Sequence, residues 1–448
     1  MSSIVIDQLK EVLPAILQSR AYESLNPPAA RENCRDLRRM LSLLRMNGIP
    51  TIATVSSDRD RADIDYHQFI KRYYVYLFQH KVICMLQADQ PAVWLNQQIN
   101  GQQELSFQEV TELLEEKEFA ALSHLAIRCL YALGLDYGMV HIGAGANKRV
   151  KVIDVLPVPK LTESLDQKYE HAVLEYEQER KSDRMLTKKA VLGADPEFAL
   201  RDAAGNMVVA SRFLPREGLI GCDSARVRTE TAVSHQLPLA EIRPEPSAYP
   251  EHIILSIYQG MQLGMQKITD HSLEWIAGGM PFPHYPIGGH IHFSGIPLSF
   301  ELLHALDTYV CLPLTLIEDE GCQSRRPRYG FLGDFREKPH GGFEYRTLPS
   351  WLVTPGIAFG VLILAKLVAE NHTLLKQHQV MNLRVRKAYY QGDTAALEPF
   401  VRGLHQELTR LSAYETYKKE LDGFFAVLFS GKKWPANSDI RRAWKLLT

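Results

Sequence analysis

The sequence predicts an α+β protein with two domains, and three observations support that class. The chain has 448 residues, a length typical of two domains. Residues 1–162 alternate helical and strand-like patterns, and from residue 191 short strand-like segments are separated by long helical ones. Between these regions, residues 163–190 are rich in charge and have few apolar positions, as expected for an exposed connecting helix. We therefore place the domain boundary within residues 163–190.

The first predicted domain, residues 1–162, has the element order of an α/β unit. An amphipathic stretch from Ile4 to Leu17 is followed by a basic helix, "RENCRDLRRMLSLLRMNG". A strand pair is predicted by the alternation in "YYVYLFQHKVICML", and helical periodicity follows in "FAALSHLAIRCLYALGL". The segment "YGMVHIGAGANKRVKVIDVLPVP" predicts two strands joined by a turn that contains glycine and asparagine.

The second predicted domain, residues 191–387, has long helices between short strands. Helices are predicted for "PEHIILSIYQGMQLGMQKI", "LSFELLHALDTYVCLPLTLI" and the apolar segment after Pro355. Residues 388–448 form a helical, amphipathic C-terminal segment without obvious chemistry.

The composition excludes several classes of protein. Hydrophobic residues make up 46% and charged residues 23%, which are globular values, and the net charge of −1 predicts neither nucleic acid nor a membrane as partner. The six cysteines form no CxxC pair and predict free thiols in a reducing compartment. The N-terminus has no basic-then-apolar signal pattern. The apolar run from Gly356 is interrupted by Lys366 and is shorter than the roughly 20 residues that span a bilayer. We therefore expect a cytoplasmic protein.

The strand-like segment "VLGADPEFAL" contains two carboxylates where a core is expected. Asp195 and Glu197 are two positions apart, so they share one face of a strand. Close like charges repel one another unless a cation or solvent intervenes. One explanation is an edge strand with a solvated face, which Pro196 favours because it cannot donate to a ladder. The other is a cation beside the two carboxylates.

Three further segments, "LAEIRPEP", "GGHIHFSG" and "GFEYRTLPSW", repeat this pattern of polar residues two positions apart. The residues concerned are Glu241, Arg243, Glu245, His290, His292, Glu344 and Arg346. One such strand would be ordinary, but four in one domain predict a sheet with a dry face against helices and a polar face. Acids and imidazoles suit Mg²⁺ or Mn²⁺, and arginines hold phosphate, so we predict a metal–polyphosphate site.

The segment "RRPRYGFLGDFREKPHGG", between the third and fourth of these strands, is rich in Arg, Gly and Pro and reads as a loop. It is either a solvated basic loop or a loop in which Arg328 and Arg336 fold over phosphates and stabilise charge during phosphoryl transfer.

The ordered series "GADPEF", "AEIRPEPS", "GGHIHF", "RYGFLGDFR" and "EYRTLPSW" resembles the carboxylate–amine ligases of the glutamine synthetase and glutamate–cysteine ligase superfamily. The likeness is closest to the phage-type amidoligases and covers about Val191 to Ala369. It implies a curved antiparallel sheet around the active site with helices outside.

The resemblance also implies residue roles. The metal ligands would be Asp195, Glu197, Glu241, His290 and Glu344; the nucleotide phosphates would contact His292, Arg336 and Arg346; catalytic arginines would be Arg328, Arg336 and Arg346.

The first domain has a fainter resemblance. The segment "ALGLDYGMVHIGAGANKRVKVIDVLPVP" is similar to the last portion of ATP-grasp ligases, which ends in a Glu-x-Asn that binds magnesium. Here Asp154 stands in place of the glutamate and Leu156 in place of the asparagine. The resemblance therefore implies a degenerate ATP-grasp-like domain, kept for scaffolding or substrate presentation.

The function that these resemblances imply is ATP-dependent amide bond formation between a carboxylate and an amine, through an acyl phosphate. The cofactors would be ATP with Mg²⁺ or Mn²⁺, and the substrate an amino acid, a peptide or a protein. Two alternatives stay open: a metal-dependent hydrolase of amide or phosphoester bonds, and a non-catalytic binding module derived from a ligase. The sequence leaves the oligomeric state open.

Overall fold

The computed structural model describes residues 4–5, 10–11, 25–53, 66–88, 106–147, 149–158, 160–185, 189–223, 237–339, 341–377 and 379–447. The chain divides into two compact units, Met1–Ser182 and Asp183–Thr448. Each combines helices with sheets whose named strands pair antiparallel, so the predicted mixed α+β class is confirmed. The division falls within residues 163–190, whose role as a linker stays a prediction, as do the other domain bounds.

The first unit has four described α-helices. They are α1 (Pro28–Arg35), α2 (Leu37–Met46), α3 (Glu116–Leu133) and α4 (Glu163–Met185). The prediction of one basic helix is wrong, because Asp36 interrupts it with extended backbone between α1 and α2. The Asp36 side chain accepts a hydrogen bond from the backbone N–H of Arg39 at 2.7 Å and thereby caps α2.

The sheet of the first unit has the strand order β1-β5-β4-β3-β6-β7, with β2 paired to β8 separately. The strands are β1 (Ile4–Val5), β2 (Lys10–Glu11), β3 (Lys71–Phe78), β4 (Lys81–Ala88), β5 (Ser106–Glu109), β6 (Tyr137–Ala144), β7 (Val150–Leu156) and β8 (Lys160–Leu161). The two predicted strand pairs are confirmed as β3–β4 and β6–β7. Of the stretch from Ile4 to Leu17, only β1 and β2 lie within the described residues.

Helix α4 packs one side against this sheet, so the expectation of an exposed helix is wrong for that side. Leu165, Tyr169, Ala172 and Val173 are buried in the core of the first unit. Their spacing of four, seven and eight residues forms one narrow apolar stripe along the helix. The surrounding charges concealed this stripe in the sequence pattern.

The second unit contains nine described α-helices. They are α5 (Pro250–Lys267), α6 (Phe300–Leu306), α7 (Leu312–Thr315), α8 (Glu320–Arg325), α9 (Pro355–Asn371), α10 (Leu383–Gln391), α11 (Thr394–Leu408), α12 (Lys418–Leu428) and α13 (Ile440–Ala443). A π-helical turn, Asp307–Cys311, joins α6 to α7. One segment of the described chain, Pro355–Leu374, is long and apolar enough to cross a membrane, but 72% of it is buried within the protein. The buried helix predicted there is confirmed, and all six cysteines are free and buried.

The sheet of the second unit is built around one long central strand. Its strands are β9 (Val191–Arg201), β10 (Met207–Val208), β11 (Ile220–Asp223), β12 (Leu239–Ile242), β13 (Glu274–Ile276), β14 (Gly289–Ser294), β15 (Phe335–Glu337) and β16 (Phe343–Tyr345). The order is β11-β12-β9-β14-β16-β15, and β10 and β13 also pair with β9. The alternative of an edge strand for Asp195 and Glu197 is therefore wrong. A glutamine synthetase-like curvature stays a prediction.

The dry face predicted for this sheet is present. Phe198, Ile291 and Tyr345, which alternate with the polar residues, are buried. Helix α5 packs against β9, β11 and β12, and Phe198 stacks on Trp275 with ring centroids 4.7 Å apart. The polar residues of the same strands are thereby left on the opposite face.

Candidate functional site

Strand register brings the polar residues of the four motifs together. Asp195 lies opposite His290, and Glu197 lies opposite Glu241. His292 lies opposite Glu344, which also faces Arg336 across β15 and β16. Side chains directly opposite one another in an antiparallel pair are near neighbours. The predicted polar face is thus one continuous surface across five strands.

This surface lines a cavity of about 520 Å³. Its charged and imidazole side chains are Asp195, Glu197, Asp223, Glu241, Arg243, His290, His292, Arg325, Arg336, Lys338 and Arg346. Acids predominate where β9, β11 and β12 meet, and cations predominate along β15, β16 and the preceding loop. The cavity therefore has an acidic end and a basic end.

Asp195 is held between two imidazoles. Its Oδ1 is 3.1 Å from Nδ1 of His290, and its Oδ2 is 3.0 Å from Nε2 of His292. Burial acts to raise the pKa of the Asp195 carboxyl, but the two histidines hold it well below its usual range. The pKa of His290 is raised, because the attraction of Asp195 outweighs the effect of burial. Asp195 is therefore the permanent anion of the acidic end.

Glu197 and Glu241 lack such compensation. Burial raises the pKa of Glu197 to about 7, although the backbone N–H of Gly288 donates to its Oε2 at 2.6 Å. Burial, and after it the charge of Asp195, raise the pKa of Glu241 to about 9. The ion pair with Arg243 acts to lower this pKa but does not outweigh them. Two carboxylates directly opposite one another destabilise a sheet unless a proton or a cation lies between them.

Glu344 is fully buried and contacts three cations. Its Oε2 accepts from Arg336 and lies 2.6 Å from Nζ of Lys338, and its Oε1 is 3.0 Å from Nε of Arg346. Burial and the charge of Asp195 act to raise the pKa of Glu344, but His290, Lys338 and Arg346 lower it overall. Glu344 is therefore charged at neutral pH, at the boundary between the acidic and the basic end.

Two oxygens in the centre of the cluster have no hydrogen-bond partner among the described residues: Oδ1 of Asp195 and Oε1 of Glu344. Their nitrogen neighbours are within ion-pair distance, but not in hydrogen-bond geometry. Donor atoms of Asp195, His292 and Glu344 lie within 4.8 Å of one another. Carboxylate oxygens are the ligands that Mg²⁺ and Mn²⁺ prefer, and the imidazole beside them is a further donor, so these residues fit a divalent cation.

The glycines of "GGHIHF" make room for this arrangement. A Cβ at Gly288 would lie 2.3 Å from Nε2 of His290, and one at Gly289 would lie 2.6 Å from the carbonyl oxygen of Pro349. Both distances are below any normal contact, so a side chain at either position would displace the imidazole or the backbone. The motif is therefore a steric requirement of the site as well as a source of donors.

The structure brings together all but one of the residues that the sequence assigns to the site. The exception is Arg328, whose side chain is exposed and lies 5.6 Å from the ring centroid of Tyr329, outside the cavity lining. Glu245 lies beyond the end of β12 and is exposed. His292, predicted to contact phosphates, is also within reach of the cation donors.

Three charged lining residues were not singled out in the sequence: Asp223, Arg325 and Lys338. Arg243, which the sequence placed on the polar face, lies in the lining as predicted, and Lys338 was detectable because it lies two positions beyond Arg336. Arg325 gave no such signal. It is buried at the end of α8 and donates to the backbone oxygens of Thr347 and Leu348 at 2.9 and 3.1 Å.

In the first unit, the position compared with the magnesium ligand of ATP-grasp ligases is buried. Asp154 lies on β7 opposite His141 of β6, and its Oδ1 accepts from the backbone N–H of Val155 at 2.8 Å. The His141 ring stacks on Tyr74 at 4.2 Å, and burial lowers its pKa to about 3. Leu156, the last residue of β7, offers no metal donor.

Comparison with known proteins assigns the chain to a family. Residues 192–446, more than half of the chain, match the family described as phage phiEco32-like COOH.NH2 ligase-type 2. The chain belongs to this family, so the resemblance to phage-type carboxylate–amine ligases is confirmed, together with the expectation of a ligase. Among curated proteins, none matches the chain.

Several solved structures are similar to parts of the chain. The ATP-grasp ligase PsnB, complexed with a minimal precursor, is 17% identical over 31% of this chain and 58% of its own, with a TM-score of 0.23. The macrocyclase MdnC from Microcystis aeruginosa, bound with precursor peptide MdnA, is 10% identical over 34% of this chain and 65% of its own, with a TM-score of 0.25. A bifunctional glutathione synthetase from Pasteurella multocida is 11% identical over 59% of this chain and 52% of its own, with a TM-score of 0.36. The chain thus spans less than two thirds of each of these structures.

Proposed function

We propose that the protein is an ATP-dependent carboxylate–amine ligase whose active site is the cavity of the second unit. The single observation that carries this proposal is the charge arrangement of that cavity. Carboxylates with orphaned oxygens occupy one end, and arginine and lysine side chains occupy the other. A divalent cation fits the first end and a polyphosphate the second, and Mg²⁺-ATP presents both. Family membership supports the same reaction class.

The residue roles are proposed from the contacts. Asp195 and Glu344, together with His292, offer donor atoms within 4.8 Å of one another and would hold Mg²⁺ or Mn²⁺. His290, which contacts both carboxylates, and Glu197 and Glu241 would be further ligands, as the resemblance implies. When bound, the cation would neutralise the phosphate oxygens and the protein carboxylates together. Arg336 and Arg346 would orient the transferring phosphoryl group, because guanidinium groups donate in a planar fork that matches phosphate.

The chemistry that these residues serve is activation of a poor electrophile. A substrate carboxylate oxygen attacks the γ-phosphorus of ATP, the bond to the bridging oxygen breaks, and ADP leaves. The resulting acyl phosphate is attacked at carbon by the amine nitrogen, which loses a proton as phosphate departs, so an amide is formed. The protein contributes orientation of two substrates and stabilisation of phosphoryl charge, and the reaction requires no side-chain nucleophile.

The substrates are proposed to be an amino acid, a peptide or a protein side chain, with a cytoplasmic site of action. The first unit is proposed to act as a scaffold or to present the substrate, because Leu156 cannot replace the missing asparagine ligand. We also propose that Arg328 contacts phosphate. Its side chain is exposed outside the cavity lining, so this contact requires the side chain to move towards the cavity.

The test is ADP formation by the purified chain with ATP and Mg²⁺ or Mn²⁺ in the presence of mixed amino acids and short peptides. We expect ADP only when both metal and amine are present. Glu344→Gln should reduce the rate by about a hundredfold or more, the scale of losing one electrostatic group in a preorganised site. The matched control is Glu415→Gln, which alters an exposed glutamate paired with Lys418 at 2.8 Å and should leave the rate unchanged.

Other outcomes would assign the protein elsewhere. Metal binding and substrate cleavage without nucleotide consumption would contradict the ligase and favour the hydrolase. Binding of neither metal nor nucleotide would leave a non-catalytic binding module. His290→Ala should abolish turnover in a protein that still folds; retained activity would remove this histidine from the proposed metal site.

A further inference from the structure

Lys338 is a cavity residue that lies outside all five sequence motifs. It directly follows β15, and its Nζ is 2.6 Å from Oε2 of Glu344. Its backbone is fixed by the hairpin turn, since its N–H donates to the oxygen of Gly342 at 3.1 Å and its oxygen accepts from Gly341 at 3.0 Å. Its side chain is only 20% exposed. A lysine with an anchored backbone and a flexible stem is therefore held at the wall of the cavity.

Oε2 of Glu344 has more hydrogen-bond donors around it than it has lone pairs, and Lys338 is one of them. Oε2 of Glu344 already accepts from Nε and Nη2 of Arg336 at 2.9 and 2.6 Å. One carboxylate oxygen has two lone pairs, so three donors compete for them. Arg346 adds a third cation at Oε1. One negative charge is therefore surrounded by three positive charges, and this end of the cavity is suited to a further anion.

Lys338 is the cation best suited to exchange partners. Arg336 contacts Oε2 through two N–H groups of one rigid fork, whereas Lys338 makes its contact through a single compact ammonium group. Arg336 and Lys338 are two positions apart, so their side chains project to the same side of the backbone, towards the cavity. A ligand of Glu344 that displaces Lys338 would therefore leave its ammonium group facing the cavity beside Arg336.

We propose that Lys338 is a nucleotide-phosphate ligand, and that its contact with Glu344 is exchanged for a phosphate contact when a divalent cation binds Glu344. The cation and the nucleotide then bind cooperatively. A cation that binds the orphaned Oε1 neutralises Glu344 and leaves the charge of Lys338 at Oε2 without a compensating anion, and a nucleotide alone finds that charge already neutralised. When both bind, the cation neutralises Glu344 and the nucleotide phosphate pairs with Lys338. Each ligand therefore raises the affinity for the other by the same factor. This inference rests on the proposed function, because it assumes that the cavity binds a metal and a polyphosphate.

The experiment measures binding without turnover. The imido analogue of ATP is titrated by calorimetry with and without Mg²⁺, and Mn²⁺ is titrated by electron paramagnetic resonance with and without the analogue. The proteins are the unmodified chain, Lys338→Met, Lys338→Arg and the surface control Lys418→Met. Lys418, the first residue of α12, pairs with Glu415, and its side chain is 55% exposed. It therefore provides a Lys–Glu pair outside the cavity. Unfolding temperatures are compared to confirm that all variants fold.

In the unmodified chain we expect Mg²⁺ to raise the affinity for the analogue at least tenfold. Lys338→Met should lower the affinity for the analogue in Mg²⁺ by about ten- to a hundredfold, the range for one hydrogen bond to a charged group. It should bind Mn²⁺ alone at least as tightly as before, because a competitor for Glu344 is gone. Lys338→Arg should retain most of the affinity for the analogue, and Lys418→Met should change nothing.

Two results would overturn this inference and leave the ligase proposal intact. One is a Lys338→Met variant with unchanged affinity for the analogue and unchanged coupling to Mg²⁺. The other is a variant that loses Mn²⁺ binding as well, since Lys338 would then only position Glu344. If the unmodified chain binds Mn²⁺ but not the analogue with any metal, the proposed function itself fails, and the inference fails with it.

Discussion

The substitution Gly288→Ala should separate the steric role of the "GGH" motif from its chemical donors. The added Cβ would lie 2.3 Å from Nε2 of His290, and 2.8 and 2.9 Å from two carbons of the same ring. Ordinary contacts begin near 3.4 Å, so the imidazole must move by about 1.1 Å. The ring is held by contacts of 3.1 Å to Asp195 and 3.3 Å to Glu344, which a movement of that size would break.

The expected result is a loss of metal affinity and turnover in a protein that still folds. A misplacement of about 1 Å in an active site costs on the order of a hundredfold in rate. The overpacking should cost about 1–3 kcal/mol in the free energy of unfolding. Gly288 does not have left-handed backbone, and alanine keeps the N–H that donates to Glu197, so neither backbone strain nor a lost hydrogen bond complicates the result.

The assays are Mn²⁺ binding, amine-dependent ADP formation and denaturant unfolding. The matched control is Gly423→Ala in α12, where an added Cβ meets nothing within 4 Å and should stabilise the helix by about 0.5–1 kcal/mol. A Gly288→Ala variant with unchanged Mn²⁺ affinity and unchanged ADP formation would refute the reasoning, because His290 would then tolerate displacement.

Two other predictions concern a loop and a helix end. Arg336→Ala, which removes a guanidinium from the cavity wall, should lower nucleotide affinity about tenfold or more in the same calorimetric assay, and Arg328→Ala should lower it by less, because the exposed Arg328 must first move to the phosphates; an unchanged affinity in Arg328→Ala would exclude the proposed contact. Asp36→Ala should lower the free energy of unfolding of the first unit by about 1 kcal/mol, because it removes the cap on Arg39. Urea denaturation measures this, and an unchanged midpoint would exclude the cap as a source of stability.

The polar face could be predicted from the sequence because the side-chain period of a strand is two. Asp195 and Glu197, like His290 and His292, must share a face wherever their strands lie, and the register confirms that these faces coincide. The central position of β9 could not be predicted in this way. Pro196 favours an edge by its missing N–H, yet it lies opposite Gly289 inside the sheet. The pairing of distant strands overrode the local preference of one residue.

The basic end of the cavity was only partly predictable, because loops have no period. Arg328 and Arg336 have similar sequence surroundings, but strand β15 directs Arg336 to Glu344 while Arg328 is exposed. Arg325 reaches the cavity because backbone oxygens 22 and 23 residues away accept from its guanidinium. Contacts of that kind depend on tertiary structure, so no local sequence pattern predicts them.

The pairing of Glu197 with Glu241 connects the stability of the sheet to the proposed function. These two carboxylates lie opposite one another on adjacent strands, and burial raises the pKa of one to about 7 and of the other to about 9. A sheet selected for stability alone would place apolar or oppositely charged residues there. Under the proposed function, a divalent cation would replace the protons and remove the repulsion where it binds, so the cost would be confined to the strands that form the acidic end. The proposed metal site therefore accounts for a pairing of carboxylates that packing alone does not favour.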